Sequence, residues 1–447
     1  MSKTDKKPPV YAVLLEKGLR KLKLGGGAKK YVYNFSWLYL QNVVRMGMGF
    51  WVSVWVIRYL GPDRFGILSY VQSLVALVAA VASLGIDQIV IRELVKQPDR
   101  RASLLGTSLV IKLSGASLAI VLLMSGVSLS EEDAVTRLLT LIIAAGMIFK
   151  SVNVIDFLFQ ADVRSKYMVL ANLVGFGVMT LLKIVMILTN APLLAFGGVI
   201  LLDSVFNAIR LFFYYKKEYF SIGQWSFDKV LAKKILKESY PLILSGISIS
   251  IGMRIDQVML KSYLDAESVG VYAAGVRLAE VFNFIPMIVG QSIYPKLIHL
   301  NLEADKEKAT VVRIIRGVFF ALTGLAVGIN LISYYAVSLL YGEAYIQSYQ
   351  VLNILIWTIP LIYLGIITNK LLLINNNNFT IFVRQALVAL CNIGLNLIMI
   401  PYYGIVGSAV ATLAAIFIVL CLEFFIPKLR WIFVLKMKAL FTFRAEN

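Results

Sequence analysis

Acidic residues are scarce in this sequence, and histidine and cysteine are nearly absent. Its 447 residues carry 44 Lys and Arg against 25 Asp and Glu, with one His and two Cys. The lone His299, placed between apolar runs, excludes a histidine-ligated metal centre and a Ser-His-Asp hydrolase. Cys391 and Cys421 both fall in apolar runs, so no disulfide framework is expected. Period-two alternation is missing, which excludes a membrane β-barrel. Charge of either sign is low, at 15% of residues, where soluble domains carry about 25%.

What is abundant is apolar chain. Hydrophobic residues make up 59%, and the mean hydropathy is +0.79. One soluble core could not hide that much. The apolar runs are long and continuous, so the expected fold is an all-α polytopic membrane protein. About twelve spans are expected, at 35–59, 65–90, 104–127, 137–160, 168–190, 194–215, 240–262, 269–292, 314–339, 348–369, 380–400 and 404–426. Most have ~20 residues or more, enough to cross ~30 Å of hydrocarbon. Residues 35–215 and 240–426 then form two six-helix bundles. Residues 1–34 read as a basic cytoplasmic segment, 216–239 as a cytoplasmic linker with Trp225 and Phe227 suited to the interface, and 427–447 as a basic cytoplasmic tail. No short apolar core with a cleavage site follows the basic start, so no cleavable signal peptide is expected.

The loops alternate in charge. One set holds Asp63 with Arg64, then Glu131, Glu132 and Asp133, then Asp265 and Glu267, then Glu343. The other holds Arg92, Lys96, Arg100 and Arg101; Arg164 and Lys166; Lys216 through Lys237; Lys296, Lys306, Lys308 and Arg313; Lys370 and Arg384. Positive loops face the cytoplasm, which places both termini there. Topology thus accounts for most of the net charge of +19, and nucleic acid is not expected as a partner. A weak repeat accompanies this pattern. Residues 58–66 (RYLGPDRFG) lie on 262–270 (SYLDAESVG) at an offset of 204, matching Tyr-Leu, an acidic residue and the glycine. An even number of spans per half gives parallel repeats, with a path between them.

Charges inside spans are costly and mark pathways or sites. Residues 251–296 read as a helical hairpin carrying Arg254, Asp256, Arg277 and Glu280. The two arginines lie ~12 Å below the outer hydrocarbon surface, at ~1.5 Å of rise per residue. Guanidinium groups at one depth need an anion between them: Asp256, Glu280 or an anionic cargo. Arg277 and Glu280 share a helix face by their spacing. A purely internal salt bridge could be replaced by apolar residues with little loss, so a pathway is favoured. Arg45 lies mid-span in the first half. Arg58, at the outer mouth, reads equally well as a snorkelling side chain. The substrate-binding candidates are Arg45, Arg254 and Arg277. Asp256, Glu280 and Asp87 are candidates for coupling or charge balance. Arg58, Lys112, Lys150 and Lys183 are secondary candidates, with Asp156 a partner for Lys150; Asp203 and Glu423 complete the intramembrane acids. No metal site or bound cofactor is expected. Arginine forks suit phosphate oxygens, so the cargo is expected to be phosphate-bearing or otherwise anionic.

RIDQVML from Arg254, VGVYAA from Val269 and RLAE from Arg277 resemble Wzx-type O-antigen flippases. So do YLGPDRFG from Tyr59, LYGEAY from Leu340 and PYYGIVGSA from Pro401. That family belongs to the multidrug/oligosaccharidyl-lipid/polysaccharide exporter superfamily. The resemblance implies two bundles in a V, with spans one, two, seven and eight lining a central cavity that contains Arg45, Arg254, Arg277, Asp256 and Glu280. It implies flipping of an undecaprenyl-pyrophosphate-linked oligosaccharide, an O-antigen or other surface repeat unit, across the bacterial inner membrane. It also implies alternating access coupled to a Na+ or H+ gradient, and membrane lipids, a polysaccharide polymerase and a chain-length regulator as partners. A lipid II flippase is disfavoured, because residues 431–439 are too short and basic for the further spans that protein has. A cation-coupled drug exporter would favour an acidic or aromatic cavity. A glycan polymerase or ligase would need a larger outer loop than any here. The expectation is a transporter rather than an enzyme.

Overall fold

The computed structural model describes residues 26–130, 132–162, 165–219, 223–299, 305–375 and 377–441. Most of the basic start, with Glu131 and Arg164, lies outside the described residues, as do the side chains of Lys166, Lys296, His299, Lys306 and Lys308. Every regular element among the described residues is helical. In the first half these are α1 (Gly26–Ser83), α2 (Asp87–Lys96), α3 (Arg101–Leu129), α4 (Ala134–Lys150), α5 (Val154–Ala161), α6 (Ser165–Leu188) and α7 (Leu193–Tyr219). The second half has α8 (Lys229–Tyr263), α9 (Ala266–Glu280), α10 (Phe284–His299), α11 (Asp305–Tyr341), α12 (Ser348–Leu355), α13 (Thr358–Ile374), α14 (Asn378–Leu422) and α15 (Pro427–Phe441).

Nine helical stretches among the described residues are long and apolar enough to cross a membrane. Two of them are too long for one crossing, Arg45–Lys96 with 52 residues and Asn378–Leu422 with 45. Each is divided by a glycine in a conformation that other residues avoid, Gly61 (φ 71°) and Gly404 (φ 55°), with Pro62 and Pro401 beside them. The shorter apolar helix Asn172–Leu188 adds another candidate. This is compatible with twelve crossings. Large apolar side chains such as Leu122, Leu331 and Leu339 stand exposed, as a lipid-facing surface requires. The chain is a multi-pass membrane protein.

The core explains the shape. On the face that carries the turns at Gly61, Leu264 and Gly404, one buried cluster joins both halves, from Ile57, Phe65 and Val71 to Val269, Tyr272 and Ile400. Toward the basic loops the core splits. One cluster holds Ile86, Leu104, Phe159 and Leu211 of the first half. Another holds Ile315, Tyr363, Leu371 and Ile432 of the second. The halves therefore join at one face and separate toward the other.

The joint is a contact of backbone on backbone. A Cβ on Gly66 would sit 1.7 Å from the carbonyl oxygen of Ala266, and one on Gly270 would sit 1.9 Å from that of Pro62. Pro62 and Ala266 are related by the offset of 204, as are Gly66 and Gly270, so the contact is reciprocal under the sequence repeat. Tyr345 Oη donates to the Ile57 carbonyl at 2.8 Å across the same seam, and its ring meets Phe65 edge-on. In the neighbouring turn, Ser268 N–H donates to Asp265 at 2.7 Å, which holds that carboxyl below the usual carboxylate range.

On the basic face, the first turns of α8 belong to the first half's packing, with Leu231, Ala232 and Ile235 in its core. Arg100 pairs with Asp228 at 2.9 Å, Lys234 with Glu93 at 3.6 Å, and Arg92 with Glu238. Residues 427–441 form a docked helix, with Lys436 fully buried against Glu423 and Thr368. Arg384, a loop cation by sequence, is likewise buried, 2.7 Å from Glu423.

Gly66→Leu is expected to prop the seam apart. In a Gln72→Cys background, labelling by a membrane-impermeant maleimide from the seam side should accelerate by about tenfold or more as the open population rises. An unchanged rate would show that this contact does not hold the face shut.

Candidate functional site

Below the seam, α1, α8 and α9 line a space between the halves. A compartment of about 190 Å³ is bounded by Ser69, Gln72 and Ser73 of the first half and by Arg254, Gln257, Arg277 and Glu280 of the second. Ser73 Oγ donates to Gln257 Oε1 at 2.9 Å and bridges the halves at its edge. A larger compartment of about 410 Å³ shares Gln72, Arg277 and Glu280 and adds Arg45, Phe176, Thr180 and Lys183. Arg277 is seven residues beyond Gly270, which puts it ~10 Å below the seam at ~1.5 Å per residue.

The electrostatics are one-sided. Arg45, Lys183, Arg254 and Arg277 face this space, with Glu280 as its one lining carboxylate. Glu280 pairs with Arg254 across the α8–α9 hairpin at 3.3 Å. Helical spacing pointed instead to Arg277 as its partner. Arg277 makes no hydrogen bond or ion pair among the described residues. Lys183 makes none either, and Arg45 has only the ring of Phe176, at 5.5 Å. Arg45 and Arg277 are exposed and Lys183 is half-buried, so their charges are available to an anion that enters the space.

Asp256 is elsewhere. It points away from the arginines into the second half, where it is buried. Its Oδ2 accepts from Tyr272 Oη at 2.6 Å and from Thr412 Oγ1 at 3.0 Å. Asn392 donates to Thr412 at 3.0 Å, and Asn396 donates to the Asn392 side-chain oxygen at 3.1 Å. Three oxygens of this cluster are buried without a partner: Asp256 Oδ1, Asn396 Oδ1 and Ser408 Oγ. A carboxylate with no basic partner, beside neutral oxygens lacking donors, suits a hard cation or a proton. No group of three or more His, Cys, Asp or Glu able to hold a metal occurs among the described residues.

The other candidates separate into structural and open groups. Asp87 and Lys112 pair with each other at 2.7 Å, and Lys112 also caps the Phe157 ring at 4.6 Å. They stand apart from the central arginines. Arg58 is exposed near the seam and lines neither compartment. Lys150 does not pair with Asp156, which accepts instead from Gln160 Nε2 at 3.0 Å; both line a separate pocket within the first half, together with Asp203 and Arg210. Arg210 went unmarked in the sequence because it lies near the basic end of its span, where cations are common. Asn392, Asn396 and Thr412 also went unmarked. Their signal is a ladder at every fourth position, Asn392–Asn396 and Ser408–Thr412, on facing helices.

A model of a family described as polysaccharide biosynthesis protein matches residues 31–301. The capsular polysaccharide biosynthesis protein CapF of Staphylococcus aureus is 19% identical over 402 residues, covering 89% of this chain and 99% of that protein. The fold is similar to the lipid II flippase MurJ in an inward closed conformation, with a TM-score of 0.68 and 14% identity over 92% of this chain and 93% of that one. It is also similar to a multidrug resistance MATE transporter of the MOP superfamily in an inward-facing conformation, with a TM-score of 0.66 and 16% identity over 88% and 95%. Against an outward-facing conformation of such a transporter the TM-score is 0.57, at 18% identity over 90% and 93%.

Proposed function

The chain belongs to the polysaccharide biosynthesis protein family, and from that premise we propose that it is a flippase for an undecaprenyl-pyrophosphate-linked oligosaccharide. The observation that carries this reading is Arg277, an arginine without a partner among the described residues, in a cationic space midway between two helical bundles. A pyrophosphate seated near Arg254 and Arg277 would gain about 4 kcal/mol per unit charge pair at ~4 Å and an effective dielectric near 20. Glu280 holds Arg254 between cargoes and competes with the phosphate, so release does not strand a bare guanidinium. Arg45 and Lys183 extend the positive lining along the first half. A cationic drug would meet repulsion from all four, which disfavours the drug-exporter reading.

Joined seam and split cores support an inward-facing state, open toward the basic loops. With those loops in the cytoplasm, the glycan lipid enters from the inner leaflet of the bacterial inner membrane and leaves toward the periplasm. The two bundles at 35–215 and 240–426, joined by 216–239, are the moving bodies in this reading. Alternating access requires the contact between Gly66 and Gly270 to part. We assign coupling to the cluster around Asp256. Asp256, Asn396 and Ser408 supply the oxygens for Na+, or Asp256 takes up a proton, and either would neutralise the buried carboxylate. Arg254 and Asp256 share α8, so charge at one bears on the position of the other.

Arg277→Ala and Arg254→Ala are each expected to abolish surface-glycan export while the protein still inserts. Arg277→Lys should retain part of it, because the charge survives without the bidentate fork. Full complementation of a null strain by both alanine variants at near-native levels would exclude this cavity assignment. For coupling, the wild type should melt several degrees higher in Na+ than in choline, and Asp256→Asn should lose that difference. A pH-dependent shift without a Na+ response, lost in Asp256→Asn, identifies the proton. No response to either ion removes the cluster from the mechanism.

A further inference from the structure

We infer that the pocket inside the first half is a saccharide subsite, separate from the place where phosphate binds. The inference rests on the flippase reading and adds to it the location of the sugar. The pocket, of about 280 Å³, lies between α1, α4, α5, α6 and α7 and shares Arg45 and Phe176 with the larger central compartment. The shared residues place it on the first-half side of the compartment that Arg277 lines.

Its chemistry is not matched to an ion of one sign. Arg45, Lys150 and Arg210 would repel a cation, and Asp156 and Asp203 would repel a phosphate. What the lining offers is both hydrogen-bonding roles at close intervals. Asn207 Nδ2 donates to Asn153 Oδ1 at 2.9 Å, and Arg210 binds the other end of the same amide. Arg210 Nε is buried without an acceptor. Asn172, Asp156 and Asp203 add further donors and acceptors. Each sugar hydroxyl is a donor and an acceptor at once, so a ring with several of them needs such a mixed lining. Phe206, packed against Gly175, supplies an apolar wall for the C–H face of a ring. The helix of the fourth span breaks into a 3-10 turn at Ser151–Asn153, at the pocket's edge. Such breaks inside a helix often mark functional positions.

The test uses the full chain in nanodiscs and two probes. One is undecaprenyl pyrophosphate without sugar. The other is the lipid-linked oligosaccharide extracted from the source strain after deletion of this gene. Asp203→Ala and Asn172→Ala change lining residues whose side chains make no hydrogen bond among the described residues, and melting curves confirm that they fold. Each is expected to weaken binding of the glycan lipid by about tenfold or more and leave the sugar-free lipid within about twofold of wild type. Arg277→Ala should weaken both. Equal wild-type affinity for the two lipids overturns the subsite, and so do pocket variants that weaken both lipids or neither. If Arg277→Ala weakens neither, the phosphate reading fails instead, and the difference between the two lipids still reports on the pocket.

Discussion

The architecture depends on one steric constraint, the approach of two backbones where side chains would forbid it. Gly66 and Gly270 let Pro62 and Ala266 present their carbonyls within contact distance across the seam. Away from that end, the buried core divides into a first-half and a second-half cluster. The space between the halves lies directly below the seam. Because the contact is reciprocal under the repeat offset, both bundles contribute the same element to it.

Pairing separates the structural charges of the helices from those left available in that space. Asp87 with Lys112, and Arg384 and Lys436 with Glu423, are satisfied by one another. Breaking the buried pairs on Glu423 leaves an uncompensated charge at a cost of about 3–5 kcal/mol, so Arg384, Lys436 and Glu423 act as fixed struts. Arg277, Lys183 and Arg45 have no carboxylate within ion-pair distance among the described residues. Water in the cavity can solvate them at rest, and an anionic cargo can replace that water.

Much of the architecture was legible from residues alone, because its signals are local. Long apolar runs give spans, charge alternation gives loops, and the matching turns at 58–66 and 262–270 give the repeat that the seam later displays in space. The hairpin with Arg254, Arg277 and Glu280 was legible for the same reason. Partner choice was not. Helical spacing favoured Arg277 for Glu280, yet the tertiary packing of α8 on α9 brings Arg254 to it. Two residues along α8, Asp256 turns to the opposite side and finds Tyr272 and Thr412, a contact over 156 positions of sequence. The docking of α15 was hidden by composition, since a run rich in lysine reads as a solvated tail until Glu423 is seen beneath Lys436. Arg210 was masked by the same rule that explains the loops.

Transport of a glycan lipid between leaflets is the claim on which the account stands. Its most direct measurement reconstitutes the full chain in liposomes carrying the extracted lipid-linked oligosaccharide and follows glycan exposure to an impermeant glycosidase added outside. With the protein present, the cleaved fraction should climb past the outer-leaflet share toward completion, while protein-free liposomes stop at that share. Identical plateaus and rates in the two preparations, with the protein shown to be folded and inserted, would contradict the account.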